Sequence, residues 1–194
     1  PDLPLIYFGH SMGTIIGRVF LQEHDALIDG CILCGIPCYQ GACKLGILLA
    51  KAVVKVKGKD SQSRFLENLA TGSFNKVIDN PETDVDWLSY NKNNVQDYIN
   101  DELCGVPFTS QGYLDLFTLM SKMGDLSLYQ CKNPDLPIYV FAGEDDPCIG
   151  GTKGFADSIQ RLQNAGYKHI DTKLFPHMRH EVLHEEDSLE AMQA

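Results

Sequence analysis

The pentapeptide Gly9-His10-Ser11-Met12-Gly13 constrains this chain more than any other stretch, because of what flanks it. Before it, Pro4 to Phe8 is a short apolar and aromatic run, as expected of a buried strand. After it, Ile15, Ile16, Val19 and Phe20 recur at the spacing of one helix face, which predicts a helix ending near Glu23. Strand, Gly-x-Ser-x-Gly turn and helix together form the context of a nucleophile elbow. Reversal within so few residues puts Ser11 in a strained backbone conformation. Crowding of strand against helix is expected to restrict both Gly9 and Gly13 to glycine. The Ser11 hydroxyl then stands at the sheet edge, with N–H groups of the helix start aimed at any negative charge that develops there. His10 cannot fold back onto its neighbour Ser11, so it reads as packing or as lining of a substrate site.

Further along, Leu27 to Cys34 predicts a second buried strand, ending at Gly35-Ile36-Pro37. From Cys38 to about Leu128 helical periodicities replace strands. Candidate helices cover Leu45 to Val56, Arg64 to Ala70, a segment capped by Ser89 with Val95, Tyr98 and Ile99, and a segment capped by Thr109 or Ser110. Strands resume at Leu136 to Ala142 and at His169 to Phe175. Between them lies a helix with Phe155, Ile159 and Leu162 on one face and Gly166 as its C′ residue. Strands alternating with helices predict an α/β fold with a parallel sheet, whose sites lie at the carboxyl ends of strands. The expected division is a core at 1-37 and 129-194, interrupted by a helical insertion at 38-128.

Charge and cysteine content narrow the partners. With 194 residues the chain is long enough for one substantial core, and its net charge of -10 argues against nucleic acid and anionic membrane surfaces. The longest apolar run, Leu45 to Val56, is broken by Lys51 and Lys55 and is too short to span a bilayer. Seven cysteines are an odd number in a chain that is neither small nor loop-rich, which points to reduced thiols and a cytoplasmic setting. Cys31-x-x-Cys34 lies inside a predicted strand interior, so its thiols read as small apolar side chains rather than as a metal or redox pair.

Ser11, Asp146 and His180 each follow the carboxyl end of a predicted strand, in the chain order that α/β hydrolases use. A serine hydroxyl needs a base to take its proton, an imidazole is suited to that near neutral pH, and a carboxylate fixes the imidazole tautomer. Asp145 and His177 are the alternative acid and base. Three motifs carry a resemblance: Gly9-His10-Ser11-Met12-Gly13, Gly143-x-x-Asp146-Pro147 and Arg179-His180-Glu181-x-Leu183-x-Glu185. They resemble the signatures of the lysophospholipase and monoacylglycerol-lipase branch of the α/β hydrolases, a serine aminopeptidase-like group. Asp84-x-Asp86-Trp87-Leu88-Ser89 and Asp101-x-Leu103-Cys104-Gly105-x-Pro107-Phe108-Thr109 are similar to cap segments of its bacterial members.

The resemblance implies a serine hydrolase that cleaves carboxylic esters without a cofactor, with Ser11 as nucleophile, Asp146 as orienting acid, His180 as base and the Met12 N–H as one oxyanion donor. It also implies a second oxyanion donor and further strands upstream of Pro1, so the expectation is a carboxyl-terminal part of a larger hydrolase, inactive alone and partnered by that missing part. Trp87, Leu103, Phe108, Tyr113 and Phe117, with His10, supply surface for an ester or lipid-like substrate, although core packing explains each of them equally well. Two competing readings remain. His180-Glu181-Val182-Leu183-His184 matches the H-E-x-x-H signature of zinc hydrolases, which needs both histidines on one helix face and a third ligand. Glu185, Glu186 and Glu190 are poor third ligands, and the strand before His180 leaves little room for such a helix. A non-catalytic interaction protein on the same fold is the other reading.

Overall fold

The computed structural model describes residues 3–193. Four strands, β1 (Ile6–His10), β2 (Gly30–Cys34), β3 (Ile138–Gly143) and β4 (Ile170–Phe175), form one parallel sheet in the order β1-β2-β3-β4. Each crossover between neighbours carries a helix or more, as parallel pairing requires. Strand β1 runs two residues further than the sequence suggested, because its ladder continues to the pairing of His10 with Cys34. Backbone hydrogen bonding, rather than the change in apolar character at Gly9, sets its end.

Side-chain alternation gives the sheet two apolar faces. Cys31, Leu33, Ile138, Val140 and Ala142 lie on one face, in a core shared with Leu21 of α1 (Met12–His24) and with Phe155 and Leu162 of the Gly151–Ala165 helix. Cys34, Phe141 and Phe175 lie on the other, against Met178, Val182 and Ala191. Strands β2 and β3, covered on both faces, read as continuous apolar runs, and those runs rather than any alternation located them, whereas β4 keeps Asp171 and Thr172 exposed. Strand β1 is different: among the described residues it pairs only with β2, and Leu5, Ile6 and Phe8 beside that open edge are exposed.

Between β2 and β3 lie α2 (Cys43–Lys57), α3 (Arg64–Ala70), α4 (Lys92–Asn100) and α5 (Ser110–Met123). Ala50, Leu66, Tyr113 and Phe117 form this insertion's own core. Its far end is tied back to the sheet layer where the Gln22 amide donates to the Lys122 carbonyl at 2.7 Å. Thr109, of the two candidates, caps α5 by accepting from the Gly112 N–H at 3.1 Å. Ser89 does not cap α4: Asn91 does, accepting from the N–H groups of Asn93 and Asn94. The Ser89 hydroxyl points instead to a long-range partner. The Gly151–Ala165 helix, α6, ends with Gly166 in the left-handed region as expected, and α7 (Ser188–Gln193) closes the described chain.

Candidate active site

The turn between β1 and α1 holds Ser11 at φ 52° and ψ -119°, a sparsely populated conformation for a residue with a side chain. Its backbone is held from both sides: the N–H donates to the Cys34 carbonyl at 3.0 Å, and its carbonyl accepts from the Thr14 N–H and hydroxyl. Ser11 stands at the N-cap position, yet its side chain makes no capping bond, so the hydroxyl is not committed to the helix. The crowding expected at both flanking glycines is only half present. A Cβ at Gly9 would come within 2.8 Å of the Gly13 carbonyl group, whereas a Cβ at Gly13 would meet nothing within 4 Å. The second close approach occurs one turn later, where a Cβ at Gly17 would meet the Tyr7 ring at 2.5 Å. Strand and helix therefore converge at Gly9 against the first turn and again where Gly17 faces Tyr7.

Asp146 follows β3 and caps the short turn Pro147–Ile149. One carboxylate oxygen accepts from the Cys148 N–H at 2.8 Å, which fixes the plane of the group. The other lies 2.8 Å from Nδ1 of His180, and the two side chains are buried, at 1% and 2% exposure. Asp145 points elsewhere, accepting from the Tyr90 hydroxyl at 2.9 Å, and His177 is exposed. Of the alternatives weighed from sequence, the aspartate and histidine that meet are Asp146 and His180.

The loop after β4 reaches Asp146 because Gly143 lets it cross the end of β3. A Cβ at Gly143 would lie 2.1 Å from the Met178 carbonyl and 2.2 Å from that of Arg179, a clash no rearrangement of a side chain relieves. The Asp145 N–H then donates to the Met178 carbonyl at 3.0 Å, and His180 arrives above Asp146. Its ring sits between two others. His10 lies on one side, centroids 4.7 Å apart, and its Nε2 is 3.1 Å from the His180 carbonyl. Since that carbonyl only accepts, Nε2 of His10 carries the proton. Trp87 lies against His180 with centroids 4.9 Å apart, and Phe74 backs Trp87 at 5.0 Å. A Cβ at Gly35, just after β2, would meet both His180 and His10, and the Ser11 N–H is bonded to the carbonyl of the preceding Cys34.

Burial, then the neighbouring His180, lowers the pKa of His10 below the ordinary imidazole value, so it adds no positive charge beside His180. Burial pushes the thiols of Cys31 and Cys34 up to about 12 and raises that of Cys148 well above the ordinary thiol value, so these remain thiols. All seven cysteines are free.

Asp146, Cys148 and His180 have ligand-type atoms within 4.8 Å of one another, the one such buried group among the described residues. They do not suit a metal. The Asp146–His180 hydrogen bond and the Cys148 N–H already occupy both carboxylate oxygens. The H-E-x-x-H stretch forms no α-helix: Val182–His184 is a single 3₁₀ turn, with His180 buried ahead of it and His184 exposed. The side chain of Glu190 lies outside the described residues.

The other expected substrate residues divide. Trp87 and His10 contact His180. Tyr113 and Phe117 are buried in the insertion's core with Ala50 and Leu66, Phe108 packs on Tyr113 at 5.5 Å, and Leu103 is 88% exposed. Helical spacing identified their common apolar face but not the partner that covers it. Beside His10, a cavity of about 150 Å³ is lined by Phe8, His10, Cys34, Glu181, Leu183 and His184.

A sheet of parallel strands with an elbow serine after one strand, and an aspartate and histidine meeting after two others, defines an α/β hydrolase. The sequence model of one family of that class, described as serine aminopeptidase, S33, matches residues 1–187, and the chain belongs to that family. Among solved structures, a thermostable carboxyl esterase from Bacillus coagulans superposes with a TM-score of 0.89 at 26% identity, covering 100% of this chain and 63% of that one. A lipase in an open form gives 0.84 at 25% identity, covering 99% and 63%. A monoacylglycerol lipase from Paleococcus ferrophilus gives 0.68 at 18% identity, covering 97% and 65%, and shows likeness of fold. The chain thus spans less than two thirds of the length of these structures. No curated protein sequence matches it.

Proposed function

We infer that the protein hydrolyses carboxylic esters through an acyl-enzyme on Ser11. The observation that carries this reading is the buried 2.8 Å contact between Asp146 and Nδ1 of His180, set beside an elbow whose serine hydroxyl is free of capping. Asp146 holds the Nδ1–H tautomer, leaving Nε2 of His180 as the base that takes the Ser11 proton. The Ser11 oxygen attacks the ester carbonyl and the carbonyl oxygen becomes an oxyanion, with the Met12 N–H at the start of α1 as one donor to it. His180 then protonates the departing alcohol. Water, activated by the same imidazole, attacks the acyl carbon, and the acid leaves as Ser11 regains its proton. Carboxyl esterase and lipase neighbours at 26% and 25% identity support an ester as substrate.

The insertion, residues 38-128, is assigned as a cap that selects among ester or lipid-like substrates, with Trp87 and His10 nearest the reacting groups. The open edge of β1 and the exposed Ile6 and Phe8 suit pairing with a further strand, and we assign that partner and the second oxyanion donor to an upstream part of the same hydrolase. Seven free cysteines support a reducing compartment, the cytoplasm. No helix among the described residues is long and apolar enough to cross a membrane.

The test is labelling of the active enzyme with a fluorophosphonate probe. Mass spectrometry should place the adduct on Ser11, and Ser11→Ala should abolish it while esterase turnover falls on the order of 10⁴-fold or more. Labelling that persists in the variant rejects the nucleophile assignment.

A further inference from the structure

Glu185 belongs to no step of the reaction above, yet it is a buried carboxylate at 5% exposure. Groups from two distant parts of the chain converge on it. From the insertion come the Ser89 hydroxyl at 2.7 Å, the Tyr90 N–H at 2.9 and 3.1 Å to its two oxygens, and the Asn91 N–H at 3.1 Å. From the loop after β4 comes the Arg179 N–H at 2.8 Å. Arg179 directly precedes His180, so the carboxylate grips the chain one residue before the imidazole.

Other contacts repeat the same connection. The Glu181 N–H donates to the Leu88 carbonyl at 2.8 Å, immediately after His180. The Arg179 guanidinium donates to the Asp86 carbonyl at 2.7 Å and lies 3.9 Å over the Tyr90 ring. Residues 86–91 of the insertion therefore brace both peptide neighbours of His180, while Trp87 covers its ring. An ionised carboxylate is suited to the centre of this brace because it accepts several hydrogen bonds and donates none. An amide of the same shape would turn an NH₂ toward backbone N–H groups.

We propose that Glu185 is a positioning residue for His180, fixing the imidazole through the Arg179 N–H and the 89–91 segment. The proposal rests on the ester-hydrolase reading, and it makes this stretch of the cap a fixed support of the base. A shift of about 1 Å at a catalytic group is enough to cost on the order of 100-fold in rate.

Three forms of the active enzyme decide it: wild type, Glu185→Gln and Ser89→Ala. Glu185→Gln should lower kcat for a short ester on the order of 100-fold with KM nearly unchanged, and Ser89→Ala should give a smaller loss of the same kind. The low-field proton resonance of the His180–Asp146 hydrogen bond should be present in wild type and broadened or shifted in Glu185→Gln. A lowered melting temperature with kcat and the resonance intact would show a merely structural role and overturn the proposal. If Glu185→Gln does not fold, Ser89→Ala carries the decision, and an unchanged kcat there overturns the proposal as well. Absence of probe labelling at Ser11 in wild type would instead strike the ester-hydrolase reading itself.

Discussion

Trp87, from the insertion, lies against the imidazole of His180 with ring centroids 4.9 Å apart. In the proposed reaction this ring would stabilise an imidazolium formed at His180, a contact worth on the order of 1–2 kcal/mol. Trp87→Ala should therefore lower kcat about 10-fold on a short ester, and Trp87→Phe should retain most of it. Equal losses in both variants would assign Trp87 to packing alone.

Asp146 and Asp145 are neighbours with opposite surroundings, one buried on His180 and one exposed under the Tyr90 hydroxyl. Asp146→Asn allows the wrong imidazole tautomer and should cost about 10⁴-fold in kcat. Asp145→Asn should leave kcat within a few-fold of wild type. Steady-state kinetics on one ester separates them.

The two histidines of the H-E-x-x-H stretch should behave differently. His180→Ala is expected to abolish turnover, whereas His184→Ala, at an exposed position, should be tolerated. Treatment with a chelator should leave activity unchanged. Parallel loss at both positions, with stoichiometric zinc in the purified enzyme, would reverse this reading.

Acidification should weaken the fold through His10. Its pKa is below 6.5 in the folded protein, chiefly from burial and next from His180, so the folded state holds it neutral. The unfolded chain takes up a proton there below its ordinary pKa, and the folded state does so only at lower pH. The contribution of His10 is thus present above pH 6.5 and lost as the pH falls from that value through the folded pKa. Between about pH 7 and 5 the melting temperature of wild type should fall further than that of His10→Gln, which keeps a donor for the His180 carbonyl. A wild type that falls no further than the variant contradicts the assignment of a neutral His10.

Glycine positions give a test of stability. Gly143→Ala should destabilise by about 3 kcal/mol or prevent folding, since the added methyl meets two backbone carbonyls. Gly13→Ala meets open space inside a helix and should be neutral or stabilising by up to about 1 kcal/mol. Urea denaturation of both variants measures the contrast.

The elements that were legible in the sequence are those whose signal is local. All four strands, α1 and α6 followed from apolar runs and periodicity, and so did the positions of Ser11, Asp146 and His180 just after strands. What escaped reading depends on partners far along the chain. Ser89 looked like a helix cap because a serine before a helical pattern usually is one, but a stronger acceptor, the Glu185 carboxylate, takes its hydroxyl. Glu185 entered the sequence reading only as the end of the third motif and as a poor third metal ligand, and no pattern near it announces that the 89–91 segment covers it. Tyr113 and Phe117 showed an apolar face without showing that Ala50 and Leu66 fill it.

The placement of the insertion has a thermodynamic consequence. Strand β2 ends at Cys34 and β3 begins at Ile138, so their pairing must close the whole intervening chain. The entropy of closing such a loop grows only logarithmically, so doubling its length would cost about 0.6 kcal/mol more. The helices α2, α3 and α5 also have a core of their own, built from Ala50, Leu66, Tyr113 and Phe117. Evolution can therefore lengthen, shorten or exchange this segment with little penalty to the fold, provided the stretch that braces His180 survives the exchange.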